Sequence, residues 1–123
     1  EGQPNKKIYN AFEKLIENLN LDNWIFLYIF FEVNLIKDLG YDTNISSFKI
    51  PENFNQKFIK LSIDDYYYDV PIFLIKKNTP KDADNELIRK SLVFTRSILL
   101  KKFFIPNNII FPQSRIILER HYN

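Results

Sequence analysis

The chain has 123 residues, 46% hydrophobic and 26% charged, with a formal net charge of +2. That length and apolar content suit one folded domain around one core and argue against disorder, while the mild positive balance permits contact with a polyanion without requiring it. Cysteine is absent, which excludes a disulfide framework, a thiolate metal site and a thiol nucleophile.

Ile8, Phe12, Leu15, Ile16 and Leu19 recur at helical spacing with Glu13, Lys14 and Glu17 off the stripe. An amphipathic helix is therefore expected from Asn5 to Leu19, with Pro4 in its first turn. Asn20-Leu21-Asp22 is a short connection in which Asp22 is a candidate N-cap, and short connections predict an antiparallel helical hairpin. From Trp24 to Phe31 the chain is unbroken aromatic or aliphatic, so the second helix has little polar face and is expected to be wrapped by neighbours. Leu39 closes its last turn, and Gly40 supplies the left-handed residue that ends it.

Periodicity then fails from Asp42 to Asp69, where Pro51, Asn53, Asn55 and Asp64-Asp65 mark turns. Phe48-Lys49-Ile50 and Phe58-Ile59-Lys60-Leu61 alternate as short strands do, so this insert is expected to be irregular or a small hairpin. Pro71 to Lys77 reads as a short helix with Pro71 at its first position. Thr79-Pro80-Lys81-Asp82 looks like the start of a long helix running to Phe104, with Leu87, Ile88, Leu92, Thr95, Ile98 and Leu99 buried. Pro106-Asn107-Asn108 ends it. Pro112 opens a last helix, with Ile116, Ile117 and His121 expected inward and Arg115, Glu119 and Arg120 more exposed. The fold class is mainly α: a compact bundle of four to five helices with a hairpin or irregular insert at about 42–69.

Few residues invite chemistry. Glu32 is a carboxylate in an apolar helix, too costly to leave ionised and unpaired, so it is expected to bond a cation from elsewhere rather than to catalyse. Arg115 is the preferred partner. His121 is the sole histidine and lacks a second ligand, which argues against a base or a metal site. Asp64, Asp65 and Asp69 lack the spacing of a calcium loop and suit a solvated turn. Tyr66-Tyr67-Tyr68 could stack bases, but the bracketing aspartates repel phosphate, and packing is the favoured reading. On the long helix Arg89 and Arg96 are seven apart and share a face, Lys90, Ser97 and Lys101 define the adjoining stripe, and Lys102 lies beyond. Arg115 and Arg120 add charge if the last helix folds back, making a candidate positive ridge. With two glycines in the chain no glycine-rich phosphate loop is possible, no catalytic triad can be assembled, and neither an enzyme nor a cofactor is expected.

Phe31-Glu32, Leu35, Ile36, Leu39-Gly40-Tyr41 and Ile45 resemble the start of the helical C-terminal domain of RecO, a bacterial recombination mediator. Val70-Pro71-Ile72-Phe73-Leu74, then Leu92 to Phe104, then Phe111-Pro112-Gln113-Ser114-Arg115 continue the resemblance in the same order. It implies a non-enzymatic DNA repair protein that binds and anneals single-stranded DNA and works with RecR and the single-strand binding protein. The family's middle region often holds a zinc ribbon; here Phe48 stands near the first cysteine position and no cysteine follows, so an apolar plug is expected in its place. The family's N-terminal OB-fold has no counterpart here, so residues 1–123 are expected to be the helical domain alone. Glu1 at the start and the absence of methionine suggest a piece of a longer chain. No apolar run approaches the ~20 residues that span a bilayer and no secretory signal opens the chain, which suits a bacterial cytoplasmic protein. Arg89, Lys90, Arg96, Lys101 and Lys102, with Arg115, are the candidates for contact with DNA or with the acidic tail of the single-strand binding protein. A purely structural interaction domain and a direct nucleic-acid binder are the alternatives.

Overall fold

A computed structural model describes residues 6, 7, 9, 10, 13, 14, 21–82 and 84–123. Lys6, Lys7, Tyr9, Asn10, Glu13 and Lys14 are helical. The stripe from Ile8 to Leu19, Pro4 and the connection at Asn20 lie outside the described residues, so the antiparallel pairing of the first two helices is not described.

Helix α1 spans Leu21–Asp38. Asp22, expected ahead of the helix as its cap, lies inside the helical range. Ile25, Tyr28, Ile29, Glu32 and Ile36, spaced three or four apart, are buried on one side. The edges of Phe26 and Phe30 meet Phe73 with ring centroids 5.4 and 5.7 Å apart. Trp24 and Leu27, each 51% exposed, correct the expectation of a helix enclosed all round, because its described neighbours pack along one side. The end of α1 follows the sequence closely: Tyr41 N–H donates to Ile36 C=O at 3.1 Å and Gly40 N–H to Lys37 C=O at 2.9 Å, with Gly40 at φ +91°. These are the two bonds of a glycine-terminated helix.

After a 3-10 turn at Ile45–Ser47 that buries Ile45, Phe48 and Ile50 pack partly buried against the core without forming a strand. The hairpin instead joins β1, Phe58–Ile63, to β2, Tyr66–Pro71, antiparallel with Ile63 opposite Tyr66 and Phe58 opposite Pro71. The correction has a local cause. Asp64 and Asp65 both adopt positive φ, 52° and 71°, the two-residue geometry whose twist matches the strands it joins, and aspartate tolerates it. Strand β1 therefore pairs with its nearest neighbour in sequence rather than with Phe48-Lys49-Ile50.

Pro71 sits one residue before helix α2, Ile72–Lys76. Helix α3 is Asn85–Leu99, six residues later than the Thr79 start expected for it. Asp84 is its cap: the carboxylate accepts the Glu86 N–H at 3.0 Å and pairs with Lys57 Nζ at 2.6 Å, leaving Thr79-Pro80-Lys81-Asp82 in the preceding loop. Leu87, Ile88, Leu92, Thr95, Ile98 and Leu99 are buried as expected, joined by Ser91 and Phe94. From Leu100 to Phe104 the helix widens into a π turn, in which Ile105 N–H reaches back five residues to Leu100 C=O at 2.9 Å. Phe103 and Phe104 are both buried there, edge to face at 5.1 Å.

Helix α4 spans Gln113–Arg120 after Pro112. Its inner face is Arg115, Leu118 and Tyr122, whereas Ile117, 56% exposed, and His121 face outward. Ile116 packs partly buried against the core as expected, but the face centres on a charged residue, and Leu118 and Tyr122 follow Arg115 at helical spacing in place of Ile117 and His121. Helix α3 is the centre of the fold, touching α1, β2 and α4, and the four α-helices and hairpin among the described residues make the mainly α class expected from the sequence.

Nothing lies within 4 Å of where a Cβ on Gly40 would stand, so Gly40→Ala is expected to lose about 1 kcal/mol of stability by backbone strain alone, read by urea denaturation. The Asp84 carboxyl is held below its ordinary value, first by the Lys57 hydrogen bond and then by the Glu86 N–H. Its contribution to stability is thus present above the ordinary carboxylate range and lost as pH falls through the lowered value. Lys57→Ala should raise the Asp84 titration midpoint in a carboxyl NMR titration and leave the helix cap in place.

Candidate functional site

Glu32 is fully buried and its two oxygens collect bonds from three segments. Arg115 Nε donates to Oε2 at 2.5 Å and its terminal nitrogen to Oε1 at 3.0 Å, a bidentate pair. The Tyr28 hydroxyl donates to Oε2 from the preceding turn of α1. Thr95 Oγ1 lies 2.5 Å from Oε1, so its one proton goes to the carboxylate and its lone pair accepts from Arg115 at 3.3 Å. Arg115 also donates to Leu92 C=O at 2.8 Å and to Glu119 at 3.4 Å. Glu119 in turn holds Arg96 through two bonds, 2.8 and 3.1 Å.

Burial opposes charge on Arg115, but the charge and hydrogen bonds of Glu32 outweigh it and hold the guanidinium above its ordinary range. Burial first, and then the Glu32 charge, pushes the Tyr28 phenol upward, so Tyr28 remains a donor. Every buried side-chain polar atom among the described residues has a hydrogen-bond partner, and Glu32, Thr95 and Arg115 are fully buried at the centre of the network. It is a structural tie between α1, α3 and α4.

The open geometry lies at the hairpin. A cleft of about 520 Å³ runs between its tip, the turn after Gly40 and the π turn, with Tyr41, Tyr66, Tyr68, Lys101 and Lys102 on its walls. The Lys101 ammonium sits 3.3 Å from the centroid of the Tyr66 ring and donates to the Tyr68 hydroxyl at 3.2 Å, while Lys102 pairs with Asp64. Tyr68 packs edge to face on Phe94 at 5.8 Å, but Tyr66 and Tyr67 are exposed, Tyr67 at 73%. The expectation that all three tyrosines pack is therefore corrected: alternation along β2 turns Tyr67 outward, and Tyr66 stands half-open in the wall of the cleft beneath Lys101.

The six candidate cations do not make one ridge. Arg96 is drawn from α3 onto Glu119 of α4, and Arg115 of α4 turns inward to Glu32 of α1. Lys90 lies 4.9 Å from the centroid of Phe58 and 3.9 Å from Glu86, at the base of the hairpin. Arg89 is half-buried beside it in a cavity of about 410 Å³ shared with Tyr67 and Asp69, and has no ion-pair partner among the described residues. Lys101 and Lys102 are at the hairpin tip. A separate groove of about 370 Å³ between α2 and the start of α3 has Ile72, Phe73, Pro80 and Leu87 in its walls, with Lys57, Lys76 and Lys81 alongside Asp82 and Asp84. The sequence reading missed it, since its walls come from segments that share no periodic pattern. Among the described residues no three His, Asp or Glu side chains gather as a metal site, and no helix is long and apolar enough to cross a membrane.

The arrangement is a mainly α domain whose one small hairpin is seated on its central helix, with cations and tyrosines where the two meet. Residues 1–47 match the family described as Recombination protein O C terminal. The match covers α1, its glycine stop and the 3-10 turn, supports a RecO C-terminal domain, and points to a role in recombination and DNA repair. No curated protein and no solved structure gives a significant match.

Arg115→Leu leaves the Glu32 charge buried without its cation and is expected to destabilise the fold by about 3–5 kcal/mol in urea denaturation. The double variant Glu32→Leu with Arg115→Leu removes both charges and is expected to recover most of that loss. A double variant as unstable as Arg115→Leu alone would mean that packing, not charge pairing, sets the loss.

Proposed function

We propose that this chain is the helical domain of a bacterial recombination mediator, cytoplasmic and nucleoid-associated, without catalytic activity of its own. Residues 1–123 act as one domain that supports single-stranded DNA binding and annealing and docks RecR and the acidic tail of the single-strand binding protein. The match of residues 1–47 to the RecO C-terminal family carries this reading. The cleft at the hairpin tip supports the nucleic-acid part: two adjacent lysines beside an exposed tyrosine suit a phosphodiester and a stacked base. Arg89 and Lys90 stand apart from that cleft, in a second cavity toward the base of the hairpin. The groove by α2 supports the docking part, since an apolar floor with Lys76 and Lys81 at its rim suits an acidic peptide with an apolar end, although Lys57 is paired there with Asp84 and Asp82 stands beside it.

A second reading, a structural interaction domain unrelated to DNA repair, is favoured by one observation: Arg96 of α3 and Arg115 of α4 are committed to acids within the chain. Titration with a labelled oligothymidylate across a salt series separates the two. If the cleft holds phosphate, binding weakens steeply with salt, and Lys101→Ala and Lys102→Ala each lower the slope of log affinity against log salt by about 0.7, whereas Arg96→Ala leaves it unchanged. Absence of binding at low salt both to the oligonucleotide and to an acidic peptide with an apolar end would favour the second reading.

A further inference from the structure

Both lysines of the cleft are occupied in the free chain by groups of the hairpin itself. Lys101 is held by Tyr66 and Tyr68, and Lys102 by the carboxylate of Asp64, with side chains 37% and 61% exposed. Asp64 and Asp65 form the turn, at φ 52° and 71°. That backbone is served at least as well by asparagine or glycine, so the turn does not require a carboxylate at position 64. Only one of the two aspartates uses its charge: Asp65 has no ion-pair partner among the described residues.

An exposed pair of this kind contributes little to stability and exchanges readily. The hydrogen bond that Lys102 donates to Asp64 holds its ammonium above its ordinary value while the pair is closed. Because Asp64 is tethered, its effective concentration at Lys102 exceeds that of any small free anion. A monoanion that displaced it would exchange one pair for another and gain nothing. A ligand that also engages Lys101 and lays a ring on Tyr66 gains the additional contacts.

We propose that Asp64 is a built-in competitor for the cleft: it occupies Lys102 until a single-stranded phosphodiester, engaging both lysines together, displaces it and frees the hairpin tip. This rests on the reading above that the cleft takes single-stranded DNA. The consequence is a threshold that admits a polyanion and rejects isolated anions.

The test compares Asp64→Asn with Asp65→Asn. Each removes one negative charge and leaves a residue the turn accepts, so long-range charge effects are matched and only the competing contact differs. Fluorescence anisotropy with a labelled oligothymidylate is expected to show Asp64→Asn binding roughly two- to fivefold tighter than Asp65→Asn, the range of an exposed pair. Equal tightening by the two variants would overturn the proposal. If neither the natural chain nor either variant binds the oligonucleotide, the single-strand reading of the cleft fails, and the competitor is judged by NMR of the Lys102 ammonium during titration with inorganic triphosphate. A response at lower concentration in Asp64→Asn than in Asp65→Asn upholds it, and coincident curves overturn it.

Discussion

A carboxylate with no access to water sits where α1, α3 and α4 meet, and the requirement to neutralise it orders much of the rest. Glu32 accepts from Tyr28, Thr95 and Arg115, one group from each helix. Removing both charges from water is so costly that a pair of this kind adds little net stability, but mispairing it costs several kcal/mol. Its effect is therefore on register. A slip of α4 by one position would withdraw Arg115 from Glu32 and from Leu92 C=O together, and would put Ile116 where a guanidinium belongs. That is why a short terminal helix packs with a charged residue as its innermost contact and leaves Ile117 outside.

The same central helix serves a second purpose just beyond Thr95, at its C-terminal end. Phe103 and Phe104 are both buried within the π turn that continues it. Lys101 and Lys102 then meet the hairpin, where Tyr66, Tyr68 and Asp64 hold them. The buried network is saturated, whereas the exposed cleft is charged, shallow and exchangeable. Only the second has the character of a surface that can take a ligand.

Where local rules apply, the sequence carried the answer. Gly40 marked the end of α1, the Asp64-Asp65 pair marked a turn, and the apolar stripe of α3 matched its buried face position by position. An acid in an apolar helix demands a cation, and Arg115 was a candidate because it opens the last helix beside a proline. The misjudged elements have one kind of cause. Phe48-Lys49-Ile50 alternates like a strand, but alternation does not name a partner, and the tight turn gave β1 a closer one. Thr79 and Asp84 both resemble caps, and the choice fell to Asp84, whose carboxylate also meets Lys57 from the hairpin.

Composition and periodicity alone determined the class of fold, the helix that Gly40 ends, the buried stripe of α3 and the need for a counter-charge to Glu32, because each follows from contacts between residues near in sequence or from the energy of burying a charge. The tertiary structure decided which cations are committed and which stay open. Arg96 and Lys101 share a helix and a charge, yet one faces Glu119 and the other Tyr66, since a side chain's partner is set by what packs against it from distant parts of the chain.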